Sequence, residues 1–131
     1  MLPLAHPRFW SCAGILLVAG VLIGSLMPGD YAEKAMVWND KSTHALTYLV
    51  LAVWFLGLYP RGRHLRILGL LFGLGVAIEF LQASMPLGRQ GDVADVIANT
   101  TGTLVGFVLA RFGLDGWALW FEARLHKLFG A

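Results

Sequence analysis

The sequence contains one cysteine and few charged residues. Because Cys12 stands alone among 131 residues, neither an intrachain disulfide nor a cysteine-based zinc site can form. Charged residues make up 14% of the chain, against about 25% in a typical soluble domain. A soluble chain this short needs many polar residues to cover its surface. The composition therefore excludes an ordinary water-soluble domain, a disulfide-rich scaffold and a disordered chain.

What the chain has instead is long apolar runs, and 57% of its residues are hydrophobic. A helix needs about 20 residues to cross the hydrocarbon core of a bilayer. Four runs approach this length, and they cover residues 9–27, 42–60, 67–85 and 93–110. The fourth run carries several polar residues, which the other three helices can shield. We predict an all-α membrane protein, an antiparallel bundle of four transmembrane helices forming a single domain over residues 1–131.

The distribution of lysine and arginine predicts the orientation of the bundle. Seven basic residues fall on the side of both termini and three on the other side. The positive-inside rule then places both termini in the cytoplasm. The dispersed basic residues do not indicate nucleic-acid binding. The first run could be a cleaved signal peptide, but it has no clear small-x-small cleavage site, and we expect it to be retained.

The last part of the chain, residues 114–129, is predicted to form an interfacial amphipathic helix. Its apolar positions recur at helical spacing, and they are Leu114, Trp117, Phe121, Leu125 and Leu128. The opposite face carries Asp115, Glu122 and His126. Such a helix can be a simple membrane anchor, which we favour, or can recruit anionic lipid.

Small residues recur every four positions and predict close helix packing. The fourth run carries Ala94, Ala98, Gly102 and Gly106, and the third carries Gly69 and Gly73. Such ridges let two helix backbones approach closely. We expect these contacts within the bundle, with homo-oligomerisation as the alternative.

Most residues capable of chemistry are predicted to lie at one level of the membrane. They are Asp40, Lys41, His44 and Tyr48 on the second helix, Glu79 and Gln82 on the third, and Arg89, Asp92, Asp95 and Asn99 on the following loop and helix. Their spacings of three, four and seven residues place them on single helix faces. Glu79 should lie roughly 9 Å below the outer boundary.

Ionisable groups at this depth are costly to insert and are candidates for a functional site. Lys41 and Arg89 suit a phosphate or carboxylate. His44 and Glu79 are the candidate catalytic pair for acid–base chemistry. No cofactor is predicted, although Asp92, Asp95, Glu79 and His44 could bind a divalent cation together with a diphosphate. A purely structural hydrogen-bond network is the alternative for the whole group.

These residues, in this order and spacing, resemble those of the VanZ-like family of small membrane proteins, over about residues 28–110. The pattern runs from Asp40, Lys41, His44 and Tyr48 through Glu79 and Gln82 to Arg89, Asp92, Asp95, Asn99, Gly102 and Gly106. The resemblance implies a multi-helix protein of the bacterial cytoplasmic membrane. It also implies a link to the cell envelope, which in the founding member includes glycopeptide resistance, but it names no reaction.

Three functions follow from the sequence. The first is binding or modulation of a membrane lipid or lipid-linked envelope intermediate, including a glycopeptide-related ligand, by the polar residues. The second is an enzyme acting on a lipid-linked phosphate or diphosphate through His44 and Glu79. The third is a proton- or ion-coupled transporter, which the apolar inner halves of the first three runs disfavour. We favour the first.

Overall fold

Helix boundaries follow from capping residues and prolines. In a computed structural model, which describes residues 1–28, 39–86 and 91–130, five helices follow one another. They are α1 (Pro7–Ser25), α2 (Asp40–Leu58), α3 (His64–Ser84), α4 (Val93–Leu109) and α5 (Trp117–Phe129). A 3₁₀ turn, Arg61–Arg63, leads into α3, and a π-helical turn, Ala110–Leu114, extends α4. The described residues contain no strand.

The helix N-termini explain where the spans begin. The Asn39 side chain accepts a hydrogen bond of 2.9 Å from the Ser42 N–H, and the Asp92 side chain accepts one of 2.8 Å from the Ala94 N–H. Both are N-caps that satisfy free amide groups of the first turn. Pro7 opens α1 at the position where a missing N–H is harmless. The four predicted spans are therefore confirmed as long apolar helices, with ends shifted by a few residues.

Glycines set the close contact between α2 and α4. A Cβ on Gly102 would lie 1.9 Å from the Ala45 carbonyl oxygen, and a Cβ on Gly106 would lie 2.5 Å from the Ala52 Cβ. Only a hydrogen side chain permits this approach of the two backbones. Helix α2 thus lies at the centre of the bundle, and its Leu51 and Leu56 are fully buried.

The close approach predicted at Gly69 and Gly73 is not found in the described chain. Both glycines are exposed, and a Cβ on either would meet nothing within 4 Å. The glycine of α3 that faces its neighbours is Gly75, which is buried beside Tyr48 and Asn99. The other two predicted ridge residues, Ala94 and Ala98, are exposed and half-buried respectively. On α4 the close approach is therefore made by Gly102 and Gly106, and on α3 the pair Gly69 and Gly73 lies on the outward face.

Helix α5 packs against the end of the bundle where α1 begins and α2 ends. The Trp117 indole N–H donates to the Val53 carbonyl over 2.9 Å. Gly57 makes room for this ring, because a Cβ there would lie 2.0 Å from it. Trp117 also contacts Trp10 and Trp54, with ring centroids 5.4 Å apart in both pairs. The predicted C-terminal helix is therefore present.

Glu122, on the polar face of α5, binds the N-terminal segment. Its carboxylate accepts hydrogen bonds from the Ala5 N–H (2.7 Å), the His6 N–H (3.1 Å) and the Trp10 indole N–H (2.7 Å). The carboxylate satisfies amides that precede α1, and the amphipathic pattern of α5 alone does not show this contact. These contacts place the N-terminal segment and α5 at the same end of the bundle.

Replacing Glu122 with alanine should loosen this end of the molecule. Three donors lose a charged acceptor, so we expect a loss of about 2 kcal/mol in the free energy of unfolding. Desolvation opposes ionisation of Glu122, but its hydrogen bonds together hold its pKa below the ordinary value. A lowered pKa in the folded state means that this stabilisation is present at neutral pH and is lost as the pH falls through that pKa. Thermal unfolding in detergent micelles between pH 7 and 3 measures both effects.

Lys127→Ala, on the same helix, is the control for the Glu122 variant. Lys127 is exposed and lies one turn from the end of α5. An equal loss of stability in Lys127→Ala, or an unchanged pH profile in Glu122→Ala, would contradict the assigned role of Glu122.

Candidate functional site

Three helices bring the predicted polar residues to one end of the bundle, opposite α5. Helix α2 supplies its first turns, α3 its last turns and α4 its first turns. We call these residues the polar cluster: Asp40, Lys41, His44, Tyr48, Glu79, Gln82, Asp92, Asp95 and Asn99. The remaining predicted ligand residue, Arg89, lies outside the described residues. Five of the nine are buried although they are polar or charged, and they are Tyr48, Glu79, Gln82, Asp95 and Asn99.

Lys41 joins α2 to α4 through two carboxylates. Its Nζ donates to Asp92 Oδ2 over 2.7 Å and makes a second, short hydrogen bond to Asp95 Oδ1. The Asp95 side chain is 6% exposed, whereas those of Lys41 and Asp92 are about half exposed. The hydrogen bond from Lys41 holds the pKa of Asp92 below its ordinary value, and the Ala94 N–H adds to this effect. The positive charge of Lys41 is therefore balanced by carboxylates of the same protein.

His44 lies beneath this ion pair and is oriented from two sides. Its Nδ1 is 3.1 Å from Asn99 Oδ1. Its Nε2 is 3.7 Å from a carboxylate oxygen of Asp40 and 3.7 Å from one of Asp95. Carboxylates on one nitrogen and an amide on the other hold an imidazole in a fixed orientation. This arrangement suits proton transfer at Nε2.

Glu79 connects the end of α3 to the beginning of α4. Its Oε2 accepts a hydrogen bond of 3.0 Å from the Asp92 backbone N–H. Gly91 allows the chain to pass this close, because a Cβ there would lie 2.5 Å from the Glu79 carbonyl oxygen. Glu79 is 6% exposed. The carboxylate therefore secures the connection on one oxygen and leaves the other available.

Three buried polar atoms of the cluster have no hydrogen-bond partner among the described residues. They are Tyr48 Oη, Glu79 Oε1 and Asn99 Nδ2. Tyr48 Oη and Asn99 Nδ2 lie 3.4 and 3.3 Å from the point where a Cβ of Gly75 would sit. Glu79 is one helical turn further along the same helix. Buried polar groups normally have hydrogen-bond partners. A hydroxyl, a carboxylate oxygen and an amide group without partners therefore indicate a binding place for a polar ligand.

Gln82 ties α1 to the same end of the bundle. Its Nε2 donates to the Ser25 carbonyl oxygen over 2.7 Å. Ser25 closes α1, so this bond satisfies a carbonyl at a helix C-terminus. The structure thus gives Gln82 a role in helix positioning.

A metal ion has one candidate set of ligands in the described residues. Donor atoms of Asp40, His44 and Asp95 lie within 4.8 Å of one another. Two carboxylates and an imidazole can bind a divalent cation. Lys41 already contacts Asp95, so a cation there would share this carboxylate with an ammonium group.

Sequence reasoning missed two positions. Gly75 makes room for the unpartnered atoms of Tyr48 and Asn99, and a lone glycine in an apolar helix gave no signal for this. His64, at the opposite end of the bundle, is completely buried, and its Nε2 lies 3.0 Å from the Tyr59 carbonyl oxygen.

Comparison with known families decides what kind of protein carries this site. The profile of the VanZ/LLP1 family matches residues 25–114. The chain belongs to the VanZ/LLP1 family. No curated protein and no solved structure matches it.

The VanZ/LLP1 match covers the complete polar cluster, together with α2, α3 and α4. Most of α1 and all of α5 lie outside it. Four helices are long and apolar enough to cross a membrane. Together with the family, they make the chain a multi-pass membrane protein.

Proposed function

We propose that this VanZ/LLP1 protein binds the headgroup of a lipid-linked cell-envelope intermediate at the polar cluster. The supporting observation is that polar atoms of Tyr48, Glu79 and Asn99, in the membrane-spanning part of the bundle, have no hydrogen-bond partner among the described residues. Burying a hydroxyl, an acceptor oxygen and an amide without hydrogen-bond partners lowers the stability of the fold, unless a ligand supplies those hydrogen bonds.

The charge of the cluster favours one class of headgroup. The described residues of the polar cluster hold four carboxylates, those of Asp40, Glu79, Asp92 and Asp95, against a single ammonium group, that of Lys41. That ammonium group is already shared by two of the carboxylates. Hydroxyl and amide groups, which both donate and accept, suit this environment better than a bare phosphate. We therefore expect a saccharide or peptide headgroup.

The distribution of charge supports an orientation for the site. The end with α5 carries Arg8, Arg61, Arg63, Arg66, Arg111, Arg124 and Lys127. The positive-inside rule places that end in the cytoplasm of a bacterial inner membrane. The polar cluster then faces the outer leaflet, where envelope lipids are assembled into the wall. We propose that any effect of this protein on glycopeptide resistance depends on its binding of such an envelope lipid.

Tyr48→Phe tests the proposal because it removes one unpartnered oxygen and nothing else. Loss of a hydroxyl without a protein partner should leave the thermal stability of the ligand-free protein unchanged or slightly raised. Binding of a lipid-linked saccharide diphosphate in nanodiscs should fall by about two- to tenfold, the value of one hydrogen bond. Thr101→Val is the control, because the Thr101 hydroxyl is exposed and bonds only its own helix at Ile97. Unchanged binding in Tyr48→Phe would contradict the proposal.

An enzyme acting on the same lipid is the second candidate, favoured by the orientation of His44. The two carboxylates at Nε2 would support an imidazole that gives and takes a proton. Pure protein should then release product from a lipid-linked diphosphate, and His44→Gln should abolish turnover while the lipid still binds. If the wild type binds the lipid but releases no product, the enzyme proposal is contradicted and the binding proposal stands.

A further inference from the structure

An apolar groove runs between α1 and α2 on the outside of the bundle, far from the polar cluster for most of its length. Its volume is about 430 Å³. We call it the α1–α2 groove, and its main lining residues are Trp10, Gly14, Val18, Leu22, Phe55 and Tyr59. From Trp10 to Leu22 the groove follows α1 for roughly 18 Å. This length matches one leaflet of a bilayer, which is about half of a 30 Å hydrocarbon core.

The groove exists because α1 is held most firmly at its two ends. At one end the Trp10 indole N–H donates to Glu122, and at the other Gln82 donates to the Ser25 carbonyl. Between these two contacts, Gly14 is the one buried residue of α1. An apolar space of this size next to lipid loses packing energy if it stays empty, and it offers water no partners. A hydrocarbon chain is the natural occupant.

The charges at the mouth of the groove indicate which lipid supplies this chain. The mouth lies at the arginine-rich end, where Arg8 precedes Trp10 by two residues and Arg63 lies 5.9 Å from the centre of the Tyr59 ring. Arg61 is already paired with Asp115. In the described chain, Arg8 and Arg63 have no carboxylate within 4 Å. A guanidinium group binds phosphate through two parallel hydrogen bonds.

We propose that the α1–α2 groove holds an acyl chain of an anionic phospholipid from the leaflet at the arginine-rich end, with its phosphate bound by Arg8 and Arg63. In a bilayer the hydrophobic effect does not distinguish a groove from surrounding lipid. The shape of the groove therefore retains the acyl chain, and the two arginines select the negatively charged headgroup. The site is independent of the polar cluster and of its ligand.

Native mass spectrometry of the full-length protein tests the site with phosphatidylglycerol and phosphatidylcholine of identical acyl chains. The wild type should retain phosphatidylglycerol over phosphatidylcholine by about tenfold. Arg8→Gln with Arg63→Gln should abolish this preference. Arg111→Gln with Arg124→Gln removes the same charge at the same end, away from the groove, and should retain it. Equal retention of the two lipids by the wild type, or equal effects of the two double variants, would overturn the proposal.

A second pair of variants tests the groove itself. Ala19 lines the groove, so Ala19→Phe should fill it and lower retention of both lipids by roughly threefold or more. Gly20 is its neighbour, and a Cβ there meets nothing within 4 Å, so Gly20→Phe should change nothing. If both variants retain lipid like the wild type, the acyl chain lies elsewhere. The arginine variants leave the core intact, and they decide the question even if Ala19→Phe does not fold.

Discussion

Gly102→Ala should destabilise the protein more than any other single methyl addition on α4. The new Cβ would lie 1.9 Å from the Ala45 carbonyl oxygen, and its next neighbours are also backbone atoms of α2. No side chain can rotate away, so α2 and α4 must separate and carry the polar cluster with them. We expect a loss of about 2–4 kcal/mol in the free energy of unfolding. Unfolding in mixed micelles, followed by circular dichroism, measures it.

Gly69→Ala is the matched control, because it is the same substitution inside a membrane-spanning helix. Nothing lies within 4 Å of its Cβ, and alanine favours a helix over glycine. Its stability should therefore equal or exceed that of the wild type. If Gly69→Ala and Gly102→Ala lose equal stability, the packing of α2 on α4 described above is wrong.

Lys41→Met should produce the second large effect, because it leaves the buried Asp95 carboxylate without its cation. Removing one partner of a buried pair is strongly unfavourable, whereas exposed pairs contribute little. Asp95 is buried and Lys41 is half exposed, so we expect a loss of about 2–3 kcal/mol, between these limits. Thermal unfolding in detergent at pH 7 measures it.

Two further variants separate the buried carboxylate from the exposed one. Asp92→Asn should cost little, because Asp92 is exposed and an amide oxygen can still cap α4. The double variant Lys41→Met/Asp95→Asn should recover much of the stability lost in Lys41→Met, since the buried carboxylate that Lys41 neutralises is also removed. A double variant less stable than Lys41→Met would show that Asp95 is not the residue that needs Lys41.

The spans and the membership of the polar cluster could be predicted because both depend on local pattern. Apolar runs of membrane length, broken at Pro28, Pro60 and Pro86, predict helices that lipid must surround. Spacings of three and four residues then place Lys41 and His44 on one face of α2, and Asp92 and Asp95 on one face of α4.

Contacts between distant segments could not be predicted in the same way. Lys41 could bind an external anion or a carboxylate of its own chain, and only the approach of α2 and α4 shows that it binds Asp92 and Asp95. The pattern of α5 predicted only that Glu122 lies on its polar face, and nothing local shows that the N-terminal amides lie beside it. Glycine periodicity alone did not distinguish the outward Gly69 from the inward Gly102.

We propose that Tyr48, Glu79 and Asn99 together bind a polar headgroup. The most direct measurement is a high-resolution map of the protein in nanodiscs made from bacterial inner-membrane lipid. We predict non-protein density within about 3.5 Å of Tyr48 Oη, Glu79 Oε1 and Asn99 Nδ2, continuous with an acyl or polyprenyl chain, and its loss in Tyr48→Phe/Asn99→Ala. A dry site closed by side chains, or a lone water molecule bridging the three atoms, would contradict the account.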